Sequence, residues 1–484
     1  MKNKPTKPID PTSKTECRGQ AILFPELVSR KTVTVDFEGG QISSDGGATL
    51  LGRLDSSYGY LKRFATCFTD HRKAELIEHP VLDLMRQRIY GLALGYEDLN
   101  DHDSLRSDPL LAAICGKEDP LGQKRHREQD RGKALAGKST LNRMELTPEG
   151  ASSASRYKKI EADTFSIEDF FIDEFVRSLS RKNKAVVLDL DRTNDTVHGE
   201  QEGRFFHGYY GEYCYTPFYI FCGKWPVVAA LHTAESEHQD EVQRLVRKVV
   251  ERVRGRFPRR QIILRADSGY CRDGLMSWCE EAGVFYVFGL QKNEVLKSKL
   301  SGSLRKAKAL FESKESGSQR IYKDFKYRAQ KWAPHRRRVI GKAEWTPEGP
   351  NPRYIITNLT AKEYVAKGLY EELYCARGEM ENRIKEQQLD LYADRTSTKV
   401  IRANQLRLWF STLAYLLMNK LREVALKGTE LAQATCGTIR LRLLKIGAVV
   451  RVTVRRVWIH LSSAYPLKDL FALAARRLRS AGSG

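Results

Sequence analysis

The chain has 484 residues, 41% hydrophobic and 29% charged, with a formal net charge of +22. That length exceeds one ordinary core and is apolar enough for about two to four folded domains. It excludes a membrane-spanning protein, because the most apolar stretch, Leu408 to Met418, falls short of the roughly 18 residues of a span. Zinc-finger architecture is excluded too, since the nine cysteines are dispersed without a C-x-x-C pair. Free thiols and a polar stretch from Met1 to Arg18 with no apolar signal core predict a reduced, cytoplasmic protein. Between Ile401 and Gly484, fifteen Lys and Arg face three acids (Glu423, Glu430, Asp469), over half of the whole excess. So concentrated a basic surface favours a polyanion over a ribosome- or membrane-associated tail, because each neutralised phosphate releases counterions.

Residues 1–30 read as a flexible polar arm. Thr32 to Phe37 alternates at period two and runs into Gly39-Gly40, a strand and turn. A helical pattern starts at Ser44 or Asp45, and another covers His79 to Leu94. Pro120 to Lys138 is a charged, glycine-bearing loop, and Thr140 to Glu145 restarts a helix. This predicts a mostly helical, DNA-binding region over 31–160.

Strands take over at Lys184. Lys184 to Asp191, Tyr209 to Cys222 and Pro226 to His232 are followed by a helix over Glu237 to Arg254. A strand (Ile262 to Asp267), a helix (Arg272 to Ala282) and a strand (Val284 to Leu290) complete the series. Three antiparallel-compatible strands followed by βαβ crossovers predict an α/β, ribonuclease-H-like mixed sheet over 161–291 and 361–400, with helices on both faces. A β-rich insertion over 292–360 interrupts it, with extended segments at Arg320 to Lys331, His335 to Trp345 and Arg353 to Ile356. Helices are expected from Lys362 to about Asp390 and from Arg402 to Leu426. Residues 401–484 form a basic C-terminal region, for DNA binding or dimerisation, with strand-like alternation at Val449 to Ile459.

Three carboxylates stand at telling places. Asp191 and Asp267 each close an apolar strand, where neighbouring strands can hold them at one sheet edge. Magnesium takes hard oxygen ligands and keeps its waters, so few carboxylates suffice, and two ions about 4 Å apart activate an attacking oxygen and stabilise a leaving one. Asp189 rivals Asp191, since strand alternation places both on one face. Tyr374, Arg377, Glu381 and Gln388 share a helix face. There Arg377 and Lys385 are placed to hold phosphate. Taken singly, the aspartates read as turn caps and Glu381 as one partner of a surface ion pair.

Tyr374-Cys375-Ala376-Arg377-Gly378-Glu379-Met380-Glu381 matches the Y-x2-R-x3-E part of the signature of bacterial insertion-sequence transposases of the DDE class. Leu188-Asp189-Leu190-Asp191-Arg192-Thr193 resembles their D-x-T strand end, and Arg265-Ala266-Asp267-Ser268-Gly269 their second aspartate. His207-Gly208-Tyr209-Tyr210-Gly211 and Glu381-Asn382-Arg383-Ile384-Lys385-Glu386 are similar to the branch known as transposase DDE domain group 1. The resemblance covers roughly residues 30–460. It implies catalytic, metal-ligating roles for Asp191, Asp267 and Glu381, two Mg²⁺ ions (Mn²⁺ as substitute), and double-stranded DNA as substrate. It also implies cleavage at inverted-repeat ends, joining of the 3′-OH to target DNA, a homodimer in the synaptic complex, and a bacterial, nucleoid-associated setting. The D-x-T match favours Asp191 over Asp189. The signature's lysine is Gln388 here, with Lys385 as its candidate replacement. DNA contacts are expected from Tyr374, Arg377, Lys385 and Arg265, and from Trp332, which either stacks on an extruded base or packs the insertion's own sheet.

Gly132 to Ser139 satisfies G-x4-G-K-[ST] but follows a charged segment instead of a buried strand, so no nucleotide partner is expected. Ser139 reads as the N-cap of the next helix, and Lys138 and Arg143 on it are placed to contact DNA. His198, Glu202 and His207 follow Asp191, where they either assist at the active site or, the favoured reading, serve as loop or packing residues. Two further readings share this pattern: another ribonuclease-H-fold nuclease, such as a junction resolvase, and a catalytically inactive, transposase-derived DNA-binding protein.

Overall fold

Along one strand Val186, Leu188 and Leu190 alternate with Val187, Asp189 and Asp191, and that alternation assigns the two faces of the central sheet. The computed structural model describes residues 22–24, 33–182, 184–313 and 317–480. The central sheet comprises β1 (Ala185–Arg192), β2 (Phe218–Cys222), β3 (Trp225–Ala230), β4 (Gln261–Ala266), β5 (Phe285–Leu290), β6 (Gln319–Tyr327), β7 (Arg337–Thr346) and β8 (Arg353–Thr357). Their spatial order is β3-β2-β1-β4-β5-β8-β7-β6, with Gly349–Pro350 pairing β7. β3, β2 and β1 form an antiparallel meander, while β4 and β5 run parallel to β1. The expected mixed sheet is therefore present.

The insertion differs from expectation in two ways. Its strands extend the same sheet, because β8 pairs antiparallel with β5. It also opens with a 19-residue helix absent from the sequence reading, Glu294–Glu312. Leu296, Leu300 and Ala307 bury its inner face on the sheet. The i, i+4 spacing of Leu296, Leu300 and Leu304 is the signal that could have found it.

Among the described residues, eight further helices of nine residues or more cover the sheet or build the rest. We number all nine in chain order as α1 (Thr49–Tyr58), α2 (Val81–Leu94), α3 (Thr164–Ser178), α4 (Gln239–Arg256), α5 (Asp273–Glu281), α6 (Glu294–Glu312), α7 (Gly378–Leu391), α8 (Ile401–Val424) and α9 (Lys468–Ser480). α3, α4, α5 and α6 pack on the Leu188 face, where α4 contributes its valine stripe from Val242 to Val253. The Asp191 face looks toward α7 and the turns leading into it.

The N- and C-terminal regions are not separate bodies. One apolar core runs from Ala48 through α1 and α2 into α8 and on to Leu478. Leu408 to Met418, the most apolar stretch of the chain, is the buried middle of α8. No helix among the described residues is long and apolar enough to cross a membrane. Several C-terminal cations are structural. Arg407 and Arg88 clasp the buried Glu145 carboxylate, and Arg440 donates to the Ala93 carbonyl at 2.9 Å. Arg402 donates to the Ala162 carbonyl at 2.7 Å. The basic surface left exposed includes Arg451, Arg455 and Arg456 on the hairpin Ala448–Val452 to Val457–Leu461. Most of the polar arm expected over residues 1–30 lies outside the described residues, except Ile22–Phe24, a short strand antiparallel to Val33–Val35.

The phosphate-loop look-alike is a loop with Ala134, Leu135 and Ala136 buried in the core, ending in the helix Lys138–Glu145. No strand leads into it among the described residues. Its backbone is held by protein: the Gln87 amide donates to the Ala136 carbonyl and accepts from the Ala136 N–H. Lys138 pairs with Asp103 at 3.2 Å. Gly137, not Ser139, is the N-cap, and Asp103 accepts the Lys138 N–H from outside the helix, so Ser139 has no capping role to fill. Arg143 lies over the Tyr157 ring.

Candidate active site

The register of the parallel pair builds the site. Ala266 lies beside Leu190, so the next step along both strands brings Asp267 alongside Asp191. Neighbouring strands lie about 4.8 Å apart. One step back, Arg265 lies opposite Asp189 and takes its carboxylate with two guanidinium nitrogens, Nη2 to Oδ2 at 2.8 Å. Arg265 also donates to the Leu373 carbonyl, tying the sheet to the segment before α7. Asp189 is 3% exposed and Arg265 8%. Periodicity could not separate Asp189 from Asp191; the cross-strand arginine does. Asp189 is sequestered in an ion pair, and Asp191 opens onto a cleft of about 1050 Å³.

The third segment arrives through irregular turns. Leu369–Tyr374 is a π-helical turn and Cys375–Arg377 a 3₁₀ turn, and together they reset the helical phase before α7. α7 is then clamped from behind. Met380, Ile384 and Leu391 are buried, and Glu386 is buried against Arg422 of α8. Glu386 and Asp390 accept the N–H groups of Cys436 and Gly437 at 2.6 and 2.7 Å. This leaves Glu381 and Lys385 on the cleft side.

Arg377 joins the carboxylates, donating to Asp191 at 3.1 Å and to Glu381 at 3.0 Å. Burial pushes the Asp191 carboxyl up to about 6; Arg377 opposes this and Asp267 and Glu381 reinforce it. Asp267 caps the turn after β4, accepting the Gly269 N–H at 2.9 Å. The turn-cap expectation for Asp267 is met, and the residue still lines the cleft.

The structure brings Asp191, Asp267, Glu381, Arg377 and Lys385 into one cleft. No ion pair engages Lys385 among the described residues, so its charge is available there. Tyr374 lies against Tyr370, and its hydroxyl sits over β5, 2.8 Å from where a Cβ on Gly289 would stand. Two expected DNA contacts are corrected. Arg265 is buried and its guanidinium is already held by Asp189 and Leu373, so it has no free face for phosphate. Trp332 is 7% exposed, edge-on to Tyr327 and under Arg337, so it packs the insertion's own sheet and offers no ring to a base. Gln388, in place of the signature lysine, donates to Asp195 at 2.8 Å. Asp195 is fully enclosed, and burial pushes its carboxyl up to about 8. No spacing in the sequence indicates that pair, which depends on a strand and a helix meeting. Of the residues after Asp191, Glu202 accepts the Ile401 N–H at 3.2 Å, His198 lines a neighbouring cavity, and His207 lines the cleft itself. Tyr209, Tyr210 and Arg192 line it too, though the sequence reading assigned them no role. The signal was available: two tyrosines flanked by glycines, shortly after the first carboxylate.

The donor set suits a hard divalent cation. Three carboxylates from three segments face one cleft, and two of them raise the proton affinity of the third. As the side chains stand, no three His, Cys, Asp or Glu groups among the described residues are gathered at ligand distance. The cation between Asp191 and Glu381 is the Arg377 guanidinium.

No curated protein matches the chain. The profile of one family, described as transposase DDE domain group 1, matches residues 25–483. That span takes in the sheet, its extension, α7 and the C-terminal region alike, and by it the chain belongs to the transposase DDE domain group 1 family, enzymes of DNA transposition.

Proposed function

We propose that this protein cuts DNA at the inverted-repeat ends of an insertion sequence and joins the freed 3′-OH to target DNA, in one site with Asp191, Asp267 and Glu381 as its metal-holding residues. One observation carries this: three carboxylates from segments far apart in the chain meet in a single cleft around Arg377. The strand order, an antiparallel meander followed by two parallel strands, supports a ribonuclease-H-like core. The large sheet extension and the shared N- and C-terminal core favour a transposase over a minimal junction resolvase. The presence of all three carboxylates argues against an inactive DNA-binding descendant.

Divalent cations, Mg²⁺ or Mn²⁺, would activate the attacking oxygen and stabilise the leaving one. Asp191 and Asp267 would hold them from adjacent strand ends and Glu381 from α7. Arg377 spans Asp191 and Glu381, so filling the site requires it to release at least one of them; once released, its planar fork suits a phosphate. Lys385, free in the cleft, adds a second cation for the backbone near the scissile bond. Attack by water and then by a 3′-hydroxyl needs no covalent protein intermediate. Holding two ends together calls for a homodimer.

The direct test is incubation with labelled end DNA and Mg²⁺, following strand nicking and joining on gels. Asp191→Ala, Asp267→Ala and Glu381→Ala should each abolish cleavage and leave end binding intact. Cleavage surviving in any one of them removes that residue from the site.

A further inference from the structure

Just beyond Asp191 the chain forms a small hairpin, Phe205–His207 paired with Glu212–Tyr215, that turns aromatic rings toward solvent. Register explains why. Phe205 lies opposite Cys214, which is buried, and Phe206 lies opposite Tyr213, so alternation turns the Phe206–Tyr213 pair outward. Phe206 is 57% exposed, Tyr213 50%, and Tyr209 at the tip 86%. Phe206 and Tyr213 meet edge-on at 5.6 Å, and the Arg204 guanidinium lies 5.2 Å from the Tyr213 ring. Gly208 and Gly211 flank the two tip tyrosines, with nothing within 4 Å of where either Cβ would stand. Tyr209 touches Tyr210, which also lies against His207, and Tyr210 faces Asp191 closely enough for that carboxylate to add to the upward pull of burial on its hydroxyl. His207, Tyr209 and Tyr210 line the same cleft as Asp191 and Asp267.

We infer that this hairpin is a stacking platform for unpaired bases beside the scissile phosphate. The inference rests on the DNA chemistry proposed above. Solvent-facing aromatic rings with a guanidinium among them are how proteins hold single-stranded bases regardless of sequence, since every base has a π-face. Two aromatic pairs exposed on one hairpin, Phe206–Tyr213 and Tyr209–Tyr210, also call for an occupant, because scattered surface hydrophobes do not cluster this way. DNA fits better than a second protein, because His207, Tyr209 and Tyr210 of this hairpin line the cleft where the phosphodiester must lie, and Lys385 supplies positive charge there. The platform takes the place of Trp332, which is buried.

Fluorescence anisotropy of the full-length protein in EDTA, with a labelled blunt duplex and the same duplex unpaired at one end, tests this. Wild-type protein should prefer the unpaired probe by about tenfold or more. Tyr209→Ala and Phe206→Ala should each reduce that preference by about fivefold or more with blunt-duplex affinity unchanged, and Tyr209→Trp should keep it. These positions are exposed, so melting temperatures should not move. A wild-type protein that binds both probes equally, or a Phe206→Ala/Tyr209→Ala double variant with its preference intact, overturns the platform. A double variant that keeps the preference but loses self-association in sedimentation assigns the patch to a protein contact, which also overturns it. Binding of neither probe by the wild type would refute the DNA reading itself, and the platform with it.

Discussion

Asp189 and Asp191 are two residues apart on one strand face, yet their removal should have opposite consequences. Asp189 neutralises Arg265 in a setting where both are almost wholly buried. Truncation to alanine leaves a buried guanidinium unpaired, which costs about 3–5 kcal/mol. For a cooperative unit of about 150–250 residues that is a fall of roughly 6–20 °C in Tm. Asp191 instead carries a carboxyl held at about 6 by burial, with Asp267 and Glu381 adding repulsion. Its loss should leave the fold as stable as before, or more so, and abolish metal-dependent cleavage. Differential scanning fluorimetry and end-cleavage gels, run well below the lower Tm, separate the two effects. Asp189→Ala should melt early but cleave when folded, and Asp191→Ala should melt normally and not cleave. Adding Arg265→Met to Asp189→Ala should recover much of the lost stability, since removing both partners leaves no orphaned charge. An unchanged Tm in Asp189→Ala, or cleavage by Asp191→Ala, refutes the assignment of the pair to structure and of its neighbour to chemistry.

Further outcomes follow from the same geometry. Asp191 binds its proton more tightly folded (about 6) than unfolded (about 3.9), so its favourable contribution is complete below about pH 4 and is lost as pH rises toward 6. Asp191→Asn should therefore gain about 1–3 kcal/mol over wild type at pH 8, a gain that disappears near pH 4 in urea titrations at each pH. Gly289→Ala places a Cβ 2.8 Å from both the Tyr374 hydroxyl and the Ser268 amide, so it should slow cleavage and cost about 1–3 kcal/mol by displacing the turn that carries Asp267. Changing Arg451, Arg455 and Arg456 to alanine should flatten the dependence of log Kd on log salt by about 2–3 if the exposed hairpin grips phosphates; an unchanged slope removes it from the DNA surface.

Much was legible in the sequence. The apolar runs ending at Asp191 and Asp267 are local patterns, and local patterns follow from backbone periodicity, whereas the helix expected from Lys362 to about Asp390 is broken by the π and 3₁₀ turns before α7. The mixed sheet followed from the order of its elements, because few topologies satisfy three antiparallel-compatible strands and two right-handed crossovers. What escaped was long-range. The insertion's strands continue the sheet because β5 offers them an open edge, whereas α6 carries a local i, i+4 signal and is the exception. The cations after Ile401 looked like one basic surface, yet Arg402, Arg407, Arg422 and Arg440 are held by carbonyls and carboxylates inside the fold. A linear sequence does not say which arginines face water.

By itself, then, the sequence determined the chemistry available: hard oxygen donors at strand ends, cations beside them, aromatics after them. Only the tertiary structure decided how that chemistry is shared out. Parallel register set Arg265 opposite Asp189 and Asp267 alongside Asp191, so two aspartates on one face divided into a buried ion pair and a cleft carboxylate. The physical reason is that periodicity fixes which way a side chain points, while its partner is chosen by whatever strand or helix packs beside it.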